Sequence, residues 1–243
     1  MSHIQEEIRT IKNGLPERVR LVAVSKFHPI KALQEAYEGG QRIFGESKVQ
    51  EMTQKYEALP KDIEWHFIGH LQTNKIKYMA SYVALIHGVD SYKLLVEINK
   101  QAIKVNRIIP CLLQIHIAQE ETKFGFSTDE CRQMLEEENW KSLKNVQIAG
   151  VMGMATNTDD ESEIKKEFEN LSRFFHEIKN TYFPTSSSFK EISMGMSDDY
   201  LLAIEEGSTL IRIGSRIFGA RNYKTTLFFA QTQTFCANCF AVS

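Results

Sequence analysis

One pattern constrains the fold of this chain more than any other. Short apolar runs alternate with amphipathic stretches of helical spacing along nearly its whole length, and we count eight such runs. The predicted strands cover residues 20–26, 42–46, 63–69, 83–89, 108–117, 146–154, 189–195 and 209–214. Strands that alternate with helices form a parallel sheet. Eight units in about 220 residues favour an α/β fold of one closed (β/α)8 TIM-type barrel, with a doubly wound open sheet as the alternative.

Two segments lie outside the repeating units. An N-terminal helix is predicted over residues 2–13, where isoleucines recur at helical spacing before a glycine. Residues 1–224 are expected to form the barrel domain. Residues 225–243 form an atypical, apolar C-terminal tail that we expect to pack on the barrel or on a partner. Its Cys236 and Cys239 make one C-x-x-C, which is half of a zinc site or a redox motif without its context, so we predict no metal site.

The overall charge and hydropathy of the chain exclude several classes of function. Its 243 residues carry a net charge of -2, and no basic patch indicates a nucleic acid or a membrane surface as partner. The polar N-terminus does not resemble a signal peptide, and no apolar run approaches the ~20 residues that span a bilayer. We therefore expect a cytoplasmic protein.

Glycine and hydroxyl residues follow the seventh and eighth predicted strands, where barrels of this kind commonly bind phosphate. Ser197 is expected to cap a helix over residues 198–206, and Gly195 allows close approach of the backbone. Gly214 and Ser215 form a second turn of the same kind. Two such turns predict a phosphate site, and an ordinary capped helix is the alternative.

Barrel closure would bring the two ends of the repeating pattern together. Lys26 ends the first strand, which would pair with the eighth. Because side chains alternate along a strand, Arg212 is expected to point into the barrel while Ile211 and Ile213 face the helices. A buried guanidinium needs acceptors, either an inward carboxylate such as Glu46 or an atom of a ligand. A lysine, an inward arginine and a phosphate cradle are the parts that hold pyridoxal phosphate as a Schiff base.

Several widely separated motifs carry a resemblance to a known family. The chain resembles the pyridoxal phosphate homeostasis protein family, also called the YggS or PROSC family, which is related in fold to the N-terminal barrel of alanine racemase. The resemblance covers residues 4–224. Its motifs are AVSKFHP (23–29), FGES and VQE (44–51), WHFIGHLQTNK (65–75), KFGF (123–126), GVMGMA (150–155), SMGMSDDY (193–200) and RIGSRIFGAR (212–221).

The resemblance implies pyridoxal phosphate as the cofactor, covalently attached to Lys26. It implies phosphate contacts from Ser197 and from the backbone of Gly214 and Ser215, and it implies that Arg212 lies near the pyridine nitrogen.

Three further residues are candidate cofactor contacts. The family usually has Asn where this chain has Ser47, so the contact at that position is an open question. His66 and Met194 are included as candidates, with packing in the core as the alternative for both.

The expected function is to hold, buffer and transfer the cofactor without strong catalysis. Arginine stays protonated, so Arg212 would disfavour protonation of the pyridine nitrogen and weaken the ring as an electron sink. Racemases of this fold take a tyrosine base from a second domain. This chain ends after the barrel, so we expect a non-catalytic monomer whose candidate partners are PLP-dependent apo-enzymes. The alternatives are an amino-acid racemase-like enzyme and, more remotely, a phosphate-binding barrel enzyme without pyridoxal phosphate.

Overall fold

Eight parallel strands form a closed barrel in which each strand pairs with the next along the chain. The structure is a computed structural model that describes residues 1–120 and 124–219. The strands are β1 (Arg20–Val24), β2 (Ile43–Glu46), β3 (Glu64–Phe67), β4 (Val83–Val89), β5 (Ile109–Gln114), β6 (Val146–Met152), β7 (Glu191–Ser193) and β8 (Leu210–Ile213). Pairing of β1 with β8, from Arg20 opposite Leu210 to Ala23 opposite Ile213, closes the barrel. The predicted barrel is confirmed, and the doubly wound open sheet is wrong.

Helices surround the barrel and cover its outer face. They are α1 (His3–Asn13), α2 (Ile30–Glu38), α3 (Val49–Ala58), α4 (Tyr92–Lys104), α5 (Thr128–Glu136), α6 (Glu161–Tyr182), α7 (Tyr200–Glu205) and α8 (Ser215–Phe218). The predicted N-terminal helix is confirmed, and a capping box between Ser2 and Gln5 starts it. Thr73–Tyr78, between β3 and β4, forms a 3-10 helix, which is typical of a connector this short.

The core has two layers, because alternate side chains of each strand face opposite ways. Inside the barrel lies a small apolar cluster that contains Val22, Leu85, Leu112, Ala149, Met152 and Leu210. A larger cluster fills the space between the barrel and the helices, and it includes Ile211 and Ile213. Arg212 therefore points into the barrel, as alternation predicts.

Some of the predictions concern residues outside the described part of the chain. The apolar tail with Cys236 and Cys239 is among them, as is Lys123 of the KFGF motif. Within the described residues, no helix is long and apolar enough to cross a membrane. The same residues contain no group of three or more side chains of the kinds that could hold a metal ion.

Candidate cofactor site

The turns after β7 and β8 are in direct contact. Ser197 Oγ lies 3.4 Å from the backbone nitrogen of Gly214 and accepts its hydrogen bond. Gly195 has a φ of +93°, and a Cβ there would lie 2.6 Å from Ala203 Cβ, so a side chain would strain this turn. The two glycine-containing turns are adjacent, as the sequence predicts.

Ser197 is not the cap of α7, and that part of the prediction is wrong. The helix starts at Tyr200, and Asp199 occupies the N-cap position. Asp199 instead closes the preceding turn, since its carboxylate accepts the N–H of Met196 at 2.5 Å. This turn delays the start of the helix and leaves the Ser197 hydroxyl directed at Gly214.

The turn after β8 also lies against the end of β1. A Cβ on Gly214 would be 2.9 Å from the carbonyl oxygen of Val24, so only glycine fits without a shift of one of the two chains. Lys26 lies two residues after Val24 and is half-buried. The ring of His28 stacks on Phe218 of α8 with 5.0 Å between the ring centroids. The loop that carries Lys26 is therefore packed against the turn and helix that follow β8.

A buried ionic cluster holds the residues on both sides of Lys26. Lys55 Nζ on α3 lies 2.7 Å from carboxylate oxygens of both Glu46 and Glu51, and it donates to the carbonyl oxygen of Ser25 at 2.8 Å. The Ser25 hydroxyl donates to Glu46 at 2.6 Å, and the N–H of Phe27 donates to Glu51 at 2.6 Å. We call these charged residues, Glu46, Glu51 and Lys55, the loop clamp.

The clamp maintains an uncommon backbone conformation directly after Lys26. Phe27 has a φ of +68°, which few residues other than glycine adopt without support from their surroundings. Its hydrogen bond to Glu51 provides that support. The conformation of the Lys26 loop thus depends on charges outside the barrel.

Glu46 is not the partner of Arg212. Its side chain faces α3 rather than the barrel interior, because it alternates with the inward positions of β2. Burial raises the pKa of Glu46 to about 7, and the neighbouring Glu51 adds to this effect while Lys55 opposes it. The Oε2 atom of Glu46 is buried and has no hydrogen-bond partner, which agrees with a carboxylate that is costly to ionise.

Arg212 crosses the barrel interior to the ends of β6 and β7. Its Nη1 donates to Ser193 Oγ at 2.6 Å and its Nη2 donates to the carbonyl oxygen of Gly153 at 3.0 Å. No carboxylate in the described ranges lies within ion-pair distance of it. Burial lowers the pKa of Arg212 to about 10, with Asp199 acting in the opposite direction, so the guanidinium is cationic at neutral pH.

The remaining predicted contacts divide between the mouth of the barrel and the core. Ser47 follows β2 and is half-buried at the C-terminal side, and Ser215 is exposed at the start of α8. Met194 is fully buried among the residues between barrel and helices, so its side chain packs in the core and does not line the mouth.

His66 reaches the opposite side of the barrel. It is buried, and its side chain lines a cavity at the N-terminal ends of the strands together with Arg20 and Glu64, which begin β1 and β3. The contact of His66 with the cofactor thus stays a prediction, and the cavity that this residue lines is not at the C-terminal mouth. The side chain of His66 points into the barrel, but it lies nearer the N-terminal ends of the strands than the C-terminal mouth.

Sequence reasoning missed two groups of residues. His87 and Ser193 form buried contacts inside the barrel, and the histidine in the otherwise apolar strand β4 was the available signal. Glu51 and Lys55 on α3 have the i, i+4 spacing of an ordinary helix-surface pair, although Lys55 is buried against the Lys26 loop.

Comparison with known proteins identifies the family of this chain. The family described as the N-terminal domain of alanine racemase matches residues 1–222. Pyridoxal phosphate homeostasis proteins of Aquifex aeolicus and Schizosaccharomyces pombe are 38% and 36% identical to this chain, covering 84% and 90% of it and 88% and 90% of their own lengths. The chain belongs to the pyridoxal phosphate homeostasis protein family. That of Helicobacter pylori strain 26695 is 40% identical over 82% of this chain and 87% of its own length.

Solved structures with the same fold cover 89–90% of this chain. PipY of Synechococcus elongatus without PLP has a TM-score of 0.83 and 36% identity, covering 89% of this chain and 100% of PipY. The structure of PipY with PLP bound has a TM-score of 0.80. An alanine racemase of Clostridium difficile has a TM-score of 0.72 over 90% of this chain and 56% of its own length, but at 14% identity it shares the fold alone.

Proposed function

We propose that this chain binds pyridoxal phosphate at the C-terminal mouth of its barrel, holds it as a Schiff base on Lys26, and buffers and transfers it. One observation carries the proposal: Gly214 packs against Val24 and thereby joins both glycine-containing turns to the loop of Lys26. The solved PipY structure with PLP bound supports the choice of ligand.

The chemistry of the two turns fits a phosphate group. Phosphate is bound by N–H groups and hydroxyls where the backbone can come close, and Gly214 lacks the Cβ that would fill this space. Ser197 supplies a half-buried hydroxyl beside it, and Ser215 supplies an exposed hydroxyl and a backbone N–H. We assign these three residues to the phosphate and Ser47 to the rim of the same site.

Arg212 favours storage of the cofactor over turnover. When bound, pyridoxal phosphate supplies an aldehyde that condenses with amines and a ring that accepts electron density. A guanidinium can only donate hydrogen bonds, so Arg212 at the ring nitrogen would keep that nitrogen unprotonated. We infer a non-catalytic monomer that delivers the cofactor to PLP-dependent apo-enzymes.

The covalent claim is tested by trapping the linkage. The protein is mixed with pyridoxal phosphate, reduced with borohydride and digested, and the modified lysine is located by mass spectrometry. We expect the modification at Lys26, its loss in Lys26→Ala, and its retention in the matched variant Lys31→Ala, which removes an exposed lysine of α2. An equally modified Lys26→Ala protein would contradict the proposal.

The non-catalytic claim needs a separate assay. The loaded protein is incubated with L-alanine, and D-alanine is measured over time. We expect no Lys26-dependent formation of the D-isomer, together with activation of an added PLP-dependent apo-enzyme. Racemisation that Lys26→Ala abolishes would instead favour the enzyme alternative.

A further inference from the structure

A line of buried polar groups runs through the barrel and ends at Arg212. His66 Nδ1 lies 3.0 Å from His87 Nε2, and His87 Nδ1 lies 2.8 Å from Ser193 Oγ. Ser193 Oγ accepts from Arg212 Nη1 at 2.6 Å. All four side chains are buried, and apolar side chains of the inner cluster fill the barrel around them. We call them the interior line.

The donors and acceptors of the interior line fix its direction. Arg212 can only donate, so Ser193 Oγ accepts from it and has a single hydrogen of its own to give. If Ser193 gives that hydrogen to His87 Nδ1, His87 must carry its proton on Nε2 and donate to His66 Nδ1. His66 then carries its proton on Nε2. Every bond of the line is satisfied in this arrangement.

The opposite direction leaves a hydroxyl hydrogen without an acceptor. His87 would then donate from Nδ1 to Ser193 Oγ, which already accepts from Arg212. The Ser193 hydrogen would need another acceptor, and the contacts of Ser193 in the described structure give only His87 and Arg212. An unmade buried hydrogen bond is costly, so the first direction is favoured.

Two further observations agree with neutral histidines and this direction. Burial lowers the pKa of both rings, that of His66 to about 3, so each carries one proton at neutral pH. The far end of the line opens to a cavity of about 420 Å³ at the N-terminal ends of the strands, which His66 lines. Water in this cavity would supply the acceptor that the Nε2–H of His66 needs.

We propose that Ser193 and His87 are positioning residues that set the orientation of the Arg212 guanidinium at the base of the mouth. Polar side chains are unfavourable in the apolar interior of the barrel, which removes them from water, unless their hydrogen bonds are made. A hydroxyl held as an acceptor on one side of the guanidinium, opposite the Gly153 carbonyl on the other, restricts its rotation. The effect on a bound cofactor rests on the function proposed above, whereas the interior line itself does not.

The first test uses the protein without cofactor. Nitrogen-15 NMR of labelled histidines reports which ring nitrogen carries the proton, with His66→Gln and His87→Asn used for assignment. We expect the Nε2–H form for both His66 and His87. A proton on His87 Nδ1 would overturn the direction of the line, and this result does not depend on cofactor binding.

The second test compares two variants of the same size. His87→Leu removes the acceptor that faces Ser193, while His87→Asn keeps an oxygen near the position of Nδ1. We expect His87→Leu and Ser193→Ala to shift the visible absorption band of the bound cofactor toward that of Arg212→Gln and to weaken binding about 5- to 10-fold, the effect of one lost hydrogen bond. His87→Asn should restore most of the wild-type band.

Ser208→Ala serves as the matched control for loss of a buried hydroxyl. Ser208 is fully buried near the same strands but donates to main-chain oxygens and does not contact Arg212. The absorption band of the cofactor bound to Ser208→Ala should remain that of the wild type, even if the unfolding midpoint of this variant falls. Wild-type bands in His87→Leu and Ser193→Ala would overturn the positioning role. A wild-type protein that forms no Lys26-dependent absorption band would instead contradict the proposed function. The NMR test would still determine the direction of the hydrogen bonds in the interior line.

Discussion

Lys55 Nζ lies 2.7 Å from Glu46 Oε1, and both side chains are buried between β2 and α3. The same ammonium also binds Glu51 and the carbonyl oxygen of Ser25. The backbone on both sides of Lys26 is consequently held by charged side chains that lie outside the barrel.

Removal of the Lys55 charge should destabilise the fold. Lys55→Met leaves buried carboxylates without their cation, and loss of one partner of a buried pair costs about 3–5 kcal/mol. We expect this decrease in the free energy of unfolding in urea at pH 8. Lys100→Met is the control, because Lys100 pairs with Glu97 at 3.8 Å on the exposed side of α4, a contact worth about 0.5 kcal/mol or less. Equal losses in the two variants would show that the clamp contributes no special stability.

The clamp should also make stability depend on pH. The pKa of Glu46 is about 7 in the folded protein and 4.5 ordinarily, so between these values the folded state binds more protons than the unfolded state. The contribution of Glu46 to stability is then present at low pH and is lost as the pH rises from about 4.5 through 7, by up to about 1.4 kcal/mol per pH unit. Unfolding of Glu46→Gln across pH 5 to 8 should lack this slope. If the free energy of unfolding changed with pH in the same way in the wild type and in the variant, the raised pKa of Glu46 would be contradicted.

The buried histidines should have the opposite effect. The pKa of His66 is about 3 in the folded protein against an ordinary 6.5, so the unfolded state binds more protons in that window. Stability should fall as the pH drops from about 6.5 toward 3, by up to about 1.4 kcal/mol per pH unit for each buried histidine. His66→Gln should give a shallower loss in acid-dependent urea unfolding. An unchanged slope would mean that folding does not lower the pKa of His66.

Ser197 should contribute affinity without being required for covalent attachment. Its hydroxyl bonds Gly214 and faces the proposed phosphate, so Ser197→Ala should raise the dissociation constant for pyridoxal phosphate about 5- to 10-fold, as expected for one hydrogen bond of this kind. Borohydride reduction should still label Lys26. Ser142→Ala, on the distant 3-10 helix Asn139–Ser142, should bind like the wild type. Unchanged affinity in Ser197→Ala would remove Ser197 from the site.

Gly214 should tolerate a side chain less well than a glycine in a roomier position such as Gly14. A Cβ there meets the carbonyl oxygen of Val24 at 2.9 Å, so Gly214→Ala must displace either the phosphate turn or the end of β1. We expect its dissociation constant to rise more than that of Ser197→Ala, about 10-fold or more by fluorescence titration. Gly14→Ala is the control, because its nearest atom, at 3.5 Å, is an ordinary contact.

Much of the fold was predictable from the sequence because its signals are local. Eight apolar runs and their helices indicated the barrel, and alternation along β8 placed Arg212 inside it. The order of glycine and hydroxyl residues near positions 195 and 214 indicated the two turns, which the contact between Ser197 and Gly214 joins.

The surroundings of two residues could not be predicted, for a common physical reason. Glu46 was one of two possible kinds of partner for Arg212 and instead pairs with Lys55, because alternation gives the face of a side chain only when the strand register is known. His66 points inward but lies at the depth of the N-terminal cavity, and depth along the barrel axis has no local signature.

The sequence by itself determined the repeating units, the closed barrel and the residue types at the ends of its strands, since each depends on spacing along the chain. Only the tertiary structure decided which polar groups meet. The loop clamp joins β1, β2 and α3, and the interior line joins β3, β4, β7 and β8. Such contacts depend on register and on the closure of the barrel, so residues far apart in the chain become partners only after the whole sheet has formed.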